Sequence, residues 1–146
     1  DENEIRVMGR TAAGVRGIDV GNGKVVGCEI AQSNQEVLIV TENGYGKRTD
    51  VDEYRMTHRG SKGVKALNIT EKNGNIVAFK MVDGNEDIMI ITNNGIIIRL
   101  DSNQVSSTGR VAQGVRLINL KDEQKVSSIA LIDKNTENET IIEETE

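Results

Sequence analysis

The sequence repeats itself at a period of about fifty residues. Gly14-Val15-Arg16, Gly63-Val64-Lys65 and Gly114-Val115-Arg116 lie 49 and 51 residues apart. An arginine precedes each of these glycines by four places, at Arg10, Arg59 and Arg110. Aliphatic residues follow each basic position by two and by four: Ile18 and Val20, Leu67 and Ile69, Ile118 and Leu120. A second block recurs at 51, where Val37-Leu38-Ile39-Val40-Thr41-Glu42-Asn43-Gly44 matches Ile88-Met89-Ile90-Ile91-Thr92-Asn93-Asn94-Gly95 and Arg48 answers Arg99. The third copy lacks this block, so the 146 residues hold two full units and a half. A period of this length means that each unit is one supersecondary element, which buries its apolar face only by stacking on its neighbours.

Each unit reads as two β-hairpins. The first pairs Gly63–Ile69 with Asn75–Val82 about a turn at Lys72-Asn73-Gly74; its counterpart in unit one turns at Gly21-Asn22-Gly23. The second pairs Ile88–Thr92 with Ile96–Leu100 about Asn93-Asn94-Gly95, and in unit one Val37–Thr41 with Tyr45–Thr49 about Glu42-Asn43-Gly44. The Asn-Gly pairs predict type I′ turns, in which both central residues take positive φ. Runs such as Ile88-Met89-Ile90-Ile91 and Ile96-Ile97-Ile98 do not alternate with polar residues, which predicts strands covered on both faces. Four strands in about fifty residues, repeated, make an all-β chain of β-propeller or β-pinwheel blades forming a partial ring. Two and a half blades leave faces and edges bare, so either further blades upstream or self-association is expected.

Composition bounds the function. No apolar run approaches the roughly 20 residues of a membrane span. The chain has no Pro and no Trp. One cysteine, Cys28, forbids an internal disulfide and suits a reducing compartment, with a small buried hydrophobe as its expected role. The one histidine, His58, has no Cys or His companion for a zinc site. The acidic start, Asp1-Glu2-Asn3-Glu4, has no apolar stretch behind it and is not read as a secretion signal. Gly44-Tyr45-Gly46-Lys47-Arg48 lacks the spacing of a nucleotide phosphate loop. Asp50 and Asp52 read as a solvated strand edge. No catalytic and no metal-ligating residues are expected.

The formal charge of −5 is unevenly spread. Residues 133–146 carry six acids against Lys134, and residues 1–4 carry three acids, which leaves 5–132 with a net charge of +3. The chain therefore divides into 1–132, the bladed domain, and 133–146, an acidic tail. In the domain the cations recur in columns. Arg10, Arg59 and Arg110 precede the unit-opening glycine, and Arg16, Lys65 and Arg116 follow it. Lys47, Arg48 and Arg99 lie on the returning strand of the second hairpin, while Arg55 and Lys62 enrich the second linker. Stacked units place equal columns at equal places on a rim. A curved positive track fits a bent duplex through its phosphates rather than its bases. The competing reading is that the repeated arginines pair with carboxylates or cap blade carbonyls. Aromatic residues number three, Tyr45, Tyr54 and Phe79, too few for the stacking platforms of single-strand or RNA binders. A further expectation is that the tail competes with DNA for the rim. Propellers also serve as protein-interaction platforms, which stands as the alternative class.

Three segments carry a more specific likeness. Met8–Ile18, Asn43–Thr49 and Gly109–Val115 resemble the C-terminal domain of the bacterial DNA gyrase A subunit, and the likeness runs from about residue 5 to 132. The resemblance implies the last three or so blades of a six-bladed β-pinwheel, whose blades exchange strands with their neighbours and which wraps duplex DNA to support ATP-dependent negative supercoiling. It implies a type II topoisomerase as parent, cytoplasmic and chromosome-associated, whose partner is the gyrase B subunit. ATP and Mg2+ would be used by that holoenzyme, and no cofactor by this chain. The seven-residue box of the family's first blade, Gln-Arg-Arg-Gly-Gly-Lys-Gly in type, has only a partial echo in Thr57–Gly63, where Arg59, Gly60, Lys62 and Gly63 fit. Weak or partial DNA binding is the expectation for this chain alone. The related domain of topoisomerase IV is the alternative within the resemblance, and Asn43–Thr49 favours gyrase.

Overall fold

The computed structural model describes residues 2–135. Its strands are β1 (Glu36–Thr41), β2 (Tyr45–Asp50), β3 (Ile76–Val82), β4 (Glu86–Thr92), β5 (Ile97–Asp101), β6 (Val115–Arg116) and β7 (Val126–Asp133). They pair antiparallel in two sheets, ordered β3-β1-β2-β6 and β5-β4-β7.

The second hairpin of each unit forms as the repeat predicts. Leu38 lies opposite Arg48 and Val40 opposite Gly46; in the next unit Ile88 lies opposite Leu100 and Ile90 opposite Ile98. The turn type differs from expectation. Gly44 and Gly95 have φ of 78° and 82°, whereas Asn43 and Asn94 do not take positive φ. Each loop has three residues: the Gly44 amide donates to Thr41 O at 3.0 Å and that of Gly95 to Thr92 O at 3.1 Å. A turn closed in this way needs one left-handed residue, the glycine, so Asn need not follow it there. The Thr41 and Thr92 hydroxyls, both buried, accept the amides of Tyr45 and Ile96 at 3.3 and 3.0 Å.

The first hairpin does not form. Gly63–Ile69 is no strand, and β3 pairs instead with β1 of the preceding unit, Ile39 opposite Phe79. β7 joins β4 in the same way, Ile90 opposite Ile129, and both junctions carry an irregularity at the same column, Val40/Thr41 and Ile91/Thr92. The cause is local. Asn73, 1% exposed, accepts the Thr70 amide at 2.7 Å and donates to Asn68 O at 2.9 Å and to Gln113 O at 3.1 Å. The predicted turn bends the chain around this amide rather than around a ladder, and sends the outgoing strand to the open edge of β1. Strand exchange between blades, implied by the resemblance, is what the sheets contain.

Unit one shows the converse. Val25–Ala31, the counterpart of β3, finds no hairpin to join among the described residues, and Val25, Val26 and Ile30 are exposed. Cys28 is exposed with them, which corrects the expectation that it is buried.

The core lies where the two sheets meet. Leu38, Val40 and Val82 from the first gather with Ile88, Ile90 and Val126 from the second, and Val105 closes the cluster. Each such side chain is worth about 1.5–3 kcal/mol when fully buried. In β1, Leu38, Ile39 and Val40 are all buried, as an unbroken apolar run predicts. In the second sheet Ile97 is 55% exposed, because no further sheet covers that face among the described residues. Asp133, taken with the tail by charge, ends β7, and the Lys134 ammonium is 2.8 Å from Asp101. The acidic tail from residue 136 onward lies outside the described residues.

Candidate nucleic-acid interface

The unit-opening segments lie side by side. The Gly60 amide donates to Gly17 O at 2.6 Å and that of Asp19 to Ser61 O at 2.8 Å; one unit on, Asn68 N donates to Ala112 O at 3.4 Å. The three linkers thus step across the blades, and their cations step with them. Arg10, Arg16, Arg55 and Lys62 are exposed, and no hydrogen bond or ion pair engages their side chains among the described residues. Lys65 is exposed and reaches only Asn68 Oδ1, at 2.9 Å.

Two of the three arginines ahead of the glycine, Arg59 and Arg110, have structural partners. Glu4 Oε2 accepts the Arg59 amide at 3.0 Å, and the Arg59 Nε donates to Glu4 O at 3.0 Å. One unit on, Glu53 Oε2 accepts the Arg110 amide at 2.7 Å, and the Arg110 guanidinium donates to Lys65 O. Glu4 and Glu53 are themselves 49 residues apart, so a carboxylate recurs with Arg59 and Arg110, though not with Arg10 among the described residues. The Arg59 amide and the His58 ring, 3.0 Å from Glu4, hold that carboxyl below its ordinary range. For Arg59 and Arg110 the capping reading therefore describes the contacts observed.

The hairpin cations depart furthest from a surface role. Lys47 is fully buried, and its ammonium donates to Gly109 O at 2.8 Å and Arg110 O at 2.5 Å. Burial pushes it below the ordinary lysine range, with Glu53 pulling the other way. As it sits, this ammonium reaches no phosphate, a correction to the sequence expectation; its place is to pin the third linker along β2. Arg48 does the same work beside it. Its guanidinium is 2.7 Å from Glu36 and donates to Val105 O at 2.9 Å, with the side chain 13% exposed. The strand position misled because the edge of β2 is not free: residues 105–108 and β6 run along it. Arg99, exposed on β5, has its Nε 2.6 Å from Asp87.

Arg116 belongs to a pocket that the repeated columns do not reveal. Its Nη2 and Nε donate to the Tyr45 hydroxyl at 3.0 and 3.3 Å, and its Nη1 to Asn119 Oδ1 at 3.0 Å. Lys72, Lys121 and Lys125 line the same pocket. None stands in a repeated basic column, which is why column counting passes over them; a search for charge changes between equivalent columns finds Lys72 against Glu123. Among the described residues no group of His, Cys, Asp and Glu gathers to hold a metal ion, and no helix is long and apolar enough to cross a membrane.

Two antiparallel sheets, each taking a strand from the following unit, define strand-exchanged blades of a β-propeller, with a row of unpaired cations on the linkers between them. The sequence matches the family described as DNA gyrase C-terminal domain, beta-propeller, over residues 1–32, 35–83 and 86–133. The chain belongs to this family. It is 54% identical over 142 residues to the DNA gyrase A subunit of Staphylococcus aureus (strain NCTC 8325 / PS 47), covering 95% of the chain and 16% of that protein. It is also 54% identical over 140 residues to the DNA gyrase A subunit of Staphylococcus epidermidis, covering 94% of the chain and 16% of the relative. The chain thus spans about a sixth of the length of the curated relatives it matches. Among solved structures it is similar to the C-terminal domain of DNA topoisomerase IV (TM-score 0.84, 22% identity, 99% of this chain and 46% of the other). It is also similar to the DNA gyrase A C-terminal domain (TM-score 0.71, 23% identity, 88% and 44%). These two likenesses speak to the fold alone.

Proposed function

We propose that this chain is a DNA-wrapping module of a type II topoisomerase, the C-terminal part of a gyrase A subunit, which holds a bent duplex along the linker arc. The observation that carries the reading is the row of exposed, unpaired cations, Arg10, Arg16, Arg55 and Lys62, on linkers that are hydrogen-bonded side by side. Family membership and the 54% identity to gyrase A subunits support it.

The physics is that of counterion release. Each phosphate neutralised contributes roughly 0.9 to the log–log salt slope, while bending a 20–30 bp site smoothly costs about 1–6 kcal/mol. Several arc cations acting together offset that cost at low salt. Phosphate contacts fix the path of the duplex and read no sequence.

In this reading Arg59, Arg110, Arg48 and Lys47 build the arc rather than touch DNA. Lys65, Arg99 and Arg116 stay accessible beside it. The supercoiling reaction belongs to the holoenzyme, formed with the gyrase B subunit in the bacterial cytoplasm, where ATP and Mg2+ are used; no step of it is assigned to residues of this chain. The test is duplex binding by the chain across salt and across sequences. The expected result is sequence-tolerant affinity that falls steeply as salt rises; an affinity flat from low to physiological salt overturns the mechanism.

A further inference from the structure

Where the first-sheet hairpin turn meets the third linker, Asn43, Tyr45, Lys72, Arg116, Asn119 and Lys121 surround a cavity of about 340 Å3, with Lys125 and Glu123 at its margin. Four cations therefore face it against one carboxylate. Tyr45, 8% exposed, anchors the site: its hydroxyl accepts twice from Arg116, whose guanidinium carbon lies 5.6 Å from the ring centroid. The Lys72 ammonium lies over the ring at the same distance. Lys125 donates to Asn43 Oδ1 and is 3.9 Å from Glu42. The Lys72 ammonium shares the Tyr45 hydroxyl with Arg116 and meets no carboxylate, and Lys121 has neither a carboxylate nor a hydrogen-bond acceptor for its ammonium group among the described residues.

Like charges gathered this closely repel unless an anion lies between them. The repeat supplies the comparison. One unit on, the Tyr45 column holds Ile96 and the Lys72 column holds Glu123, yet the hairpin there has the same turn and the same register. The blade does not need this cluster to fold.

We propose that the pocket is a phosphate-binding site, with Lys72, Lys121 and Lys125 as ammonium donors and Arg116 as a guanidinium held in place by Tyr45. Arginine fixed in a planar fork and lysines free to turn onto an anion are the complementary parts of such a site. The phosphate has two sources, a backbone phosphate of bound duplex or a free inorganic phosphate species. The duplex source rests on the wrapping function proposed above; the affinity for a phosphate oxyanion does not.

The test uses inorganic pyrophosphate as probe, titrated calorimetrically into the 146-residue chain at low salt. A Lys72→Ala/Lys121→Ala variant removes the pocket donors, and Arg16→Ala/Lys62→Ala serves as a control of equal charge loss on the arc. We expect the pocket variant to bind pyrophosphate roughly tenfold more weakly or worse, since charge-assisted hydrogen bonds are lost, and the arc variant to bind as the parent chain does. Equal weakening in both variants, or none in the pocket variant, overturns the site. The same chains are then titrated with duplex DNA. A salt slope lower by about 0.9 in the pocket variant supports the duplex source. An unchanged slope with pyrophosphate binding lost supports the site with free phosphate as its source. Selective loss of pyrophosphate binding in a chain that binds no duplex refutes the wrapping function and leaves the pocket standing.

Discussion

At the residue scale, a lysine can count toward a basic surface in the sequence and hold the fold together in the structure. Lys47 and Lys62 are both basic residues beside glycine, yet one is fully buried against two carbonyls and the other has no partner among the described residues. What separates them is the strand edge that covers Lys47, set by a linker more than fifty residues away in sequence, which no local pattern encodes. The arginine column was legible as a column but not in its role, because its carboxylate partners, Glu4 and Glu53, stand one linker earlier. The two tyrosines give this scale a direct check. Hydrogen bonding from Arg116 draws the Tyr45 phenol below 10.0, while burial raises that of Tyr54 above it. Followed residue by residue against pH, the Tyr45 phenol should ionise before that of Tyr54. In an Arg116→Ala variant the Tyr45 titration should move upward, since the phenolate loses its donor; Tyr54 ionising before Tyr45 in the parent chain would contradict the assignment.

At the element scale, the hairpins at β1–β2 and β4–β5 were legible because the branched apolar runs and the turn glycine are adjacent in sequence. The strand at β3 was legible too, within Asn75–Val82, but its partner and that of β7 were not readable from the residues. Their apolar pattern fits a neighbour in either unit, and the choice is made by the buried Asn73 turn and by the free edge of β1. The third linker is seated by close backbone approach. At Gly114, φ is +82° and an added Cβ would lie 2.7 Å from Gly46 O, a contact with backbone that cannot turn away. A Gly114→Ala substitution combines left-handed strain with this clash. It should cost about 2–3 kcal/mol, read as a lowered urea midpoint. By contrast Gly9, which has open space and no positive φ, should tolerate alanine within about 0.5 kcal/mol. Equal effects at the two glycines would argue against the linker packing described.

At the scale of the whole molecule, repeat symmetry accounts both for what is built and for what is left bare. Strand exchange means that a unit is completed by its successor; among the described residues the first unit's Val25–Ala31 joins no hairpin and the second sheet keeps an exposed face. The same stepping carries the linkers, and with them the cations, along one arc, which the sequence showed as recurring columns without showing which column faces water. The central claim is that the unpaired linker cations grip the phosphate backbone. It is tested by the salt dependence of duplex binding in the parent chain and in an Arg16→Ala/Arg55→Ala/Lys62→Ala variant. If each cation neutralises one phosphate, the variant's log–log slope falls by about 2.7, with affinity reduced alike on unrelated sequences. A slope unchanged by the triple substitution would mean that the duplex, if bound, lies elsewhere.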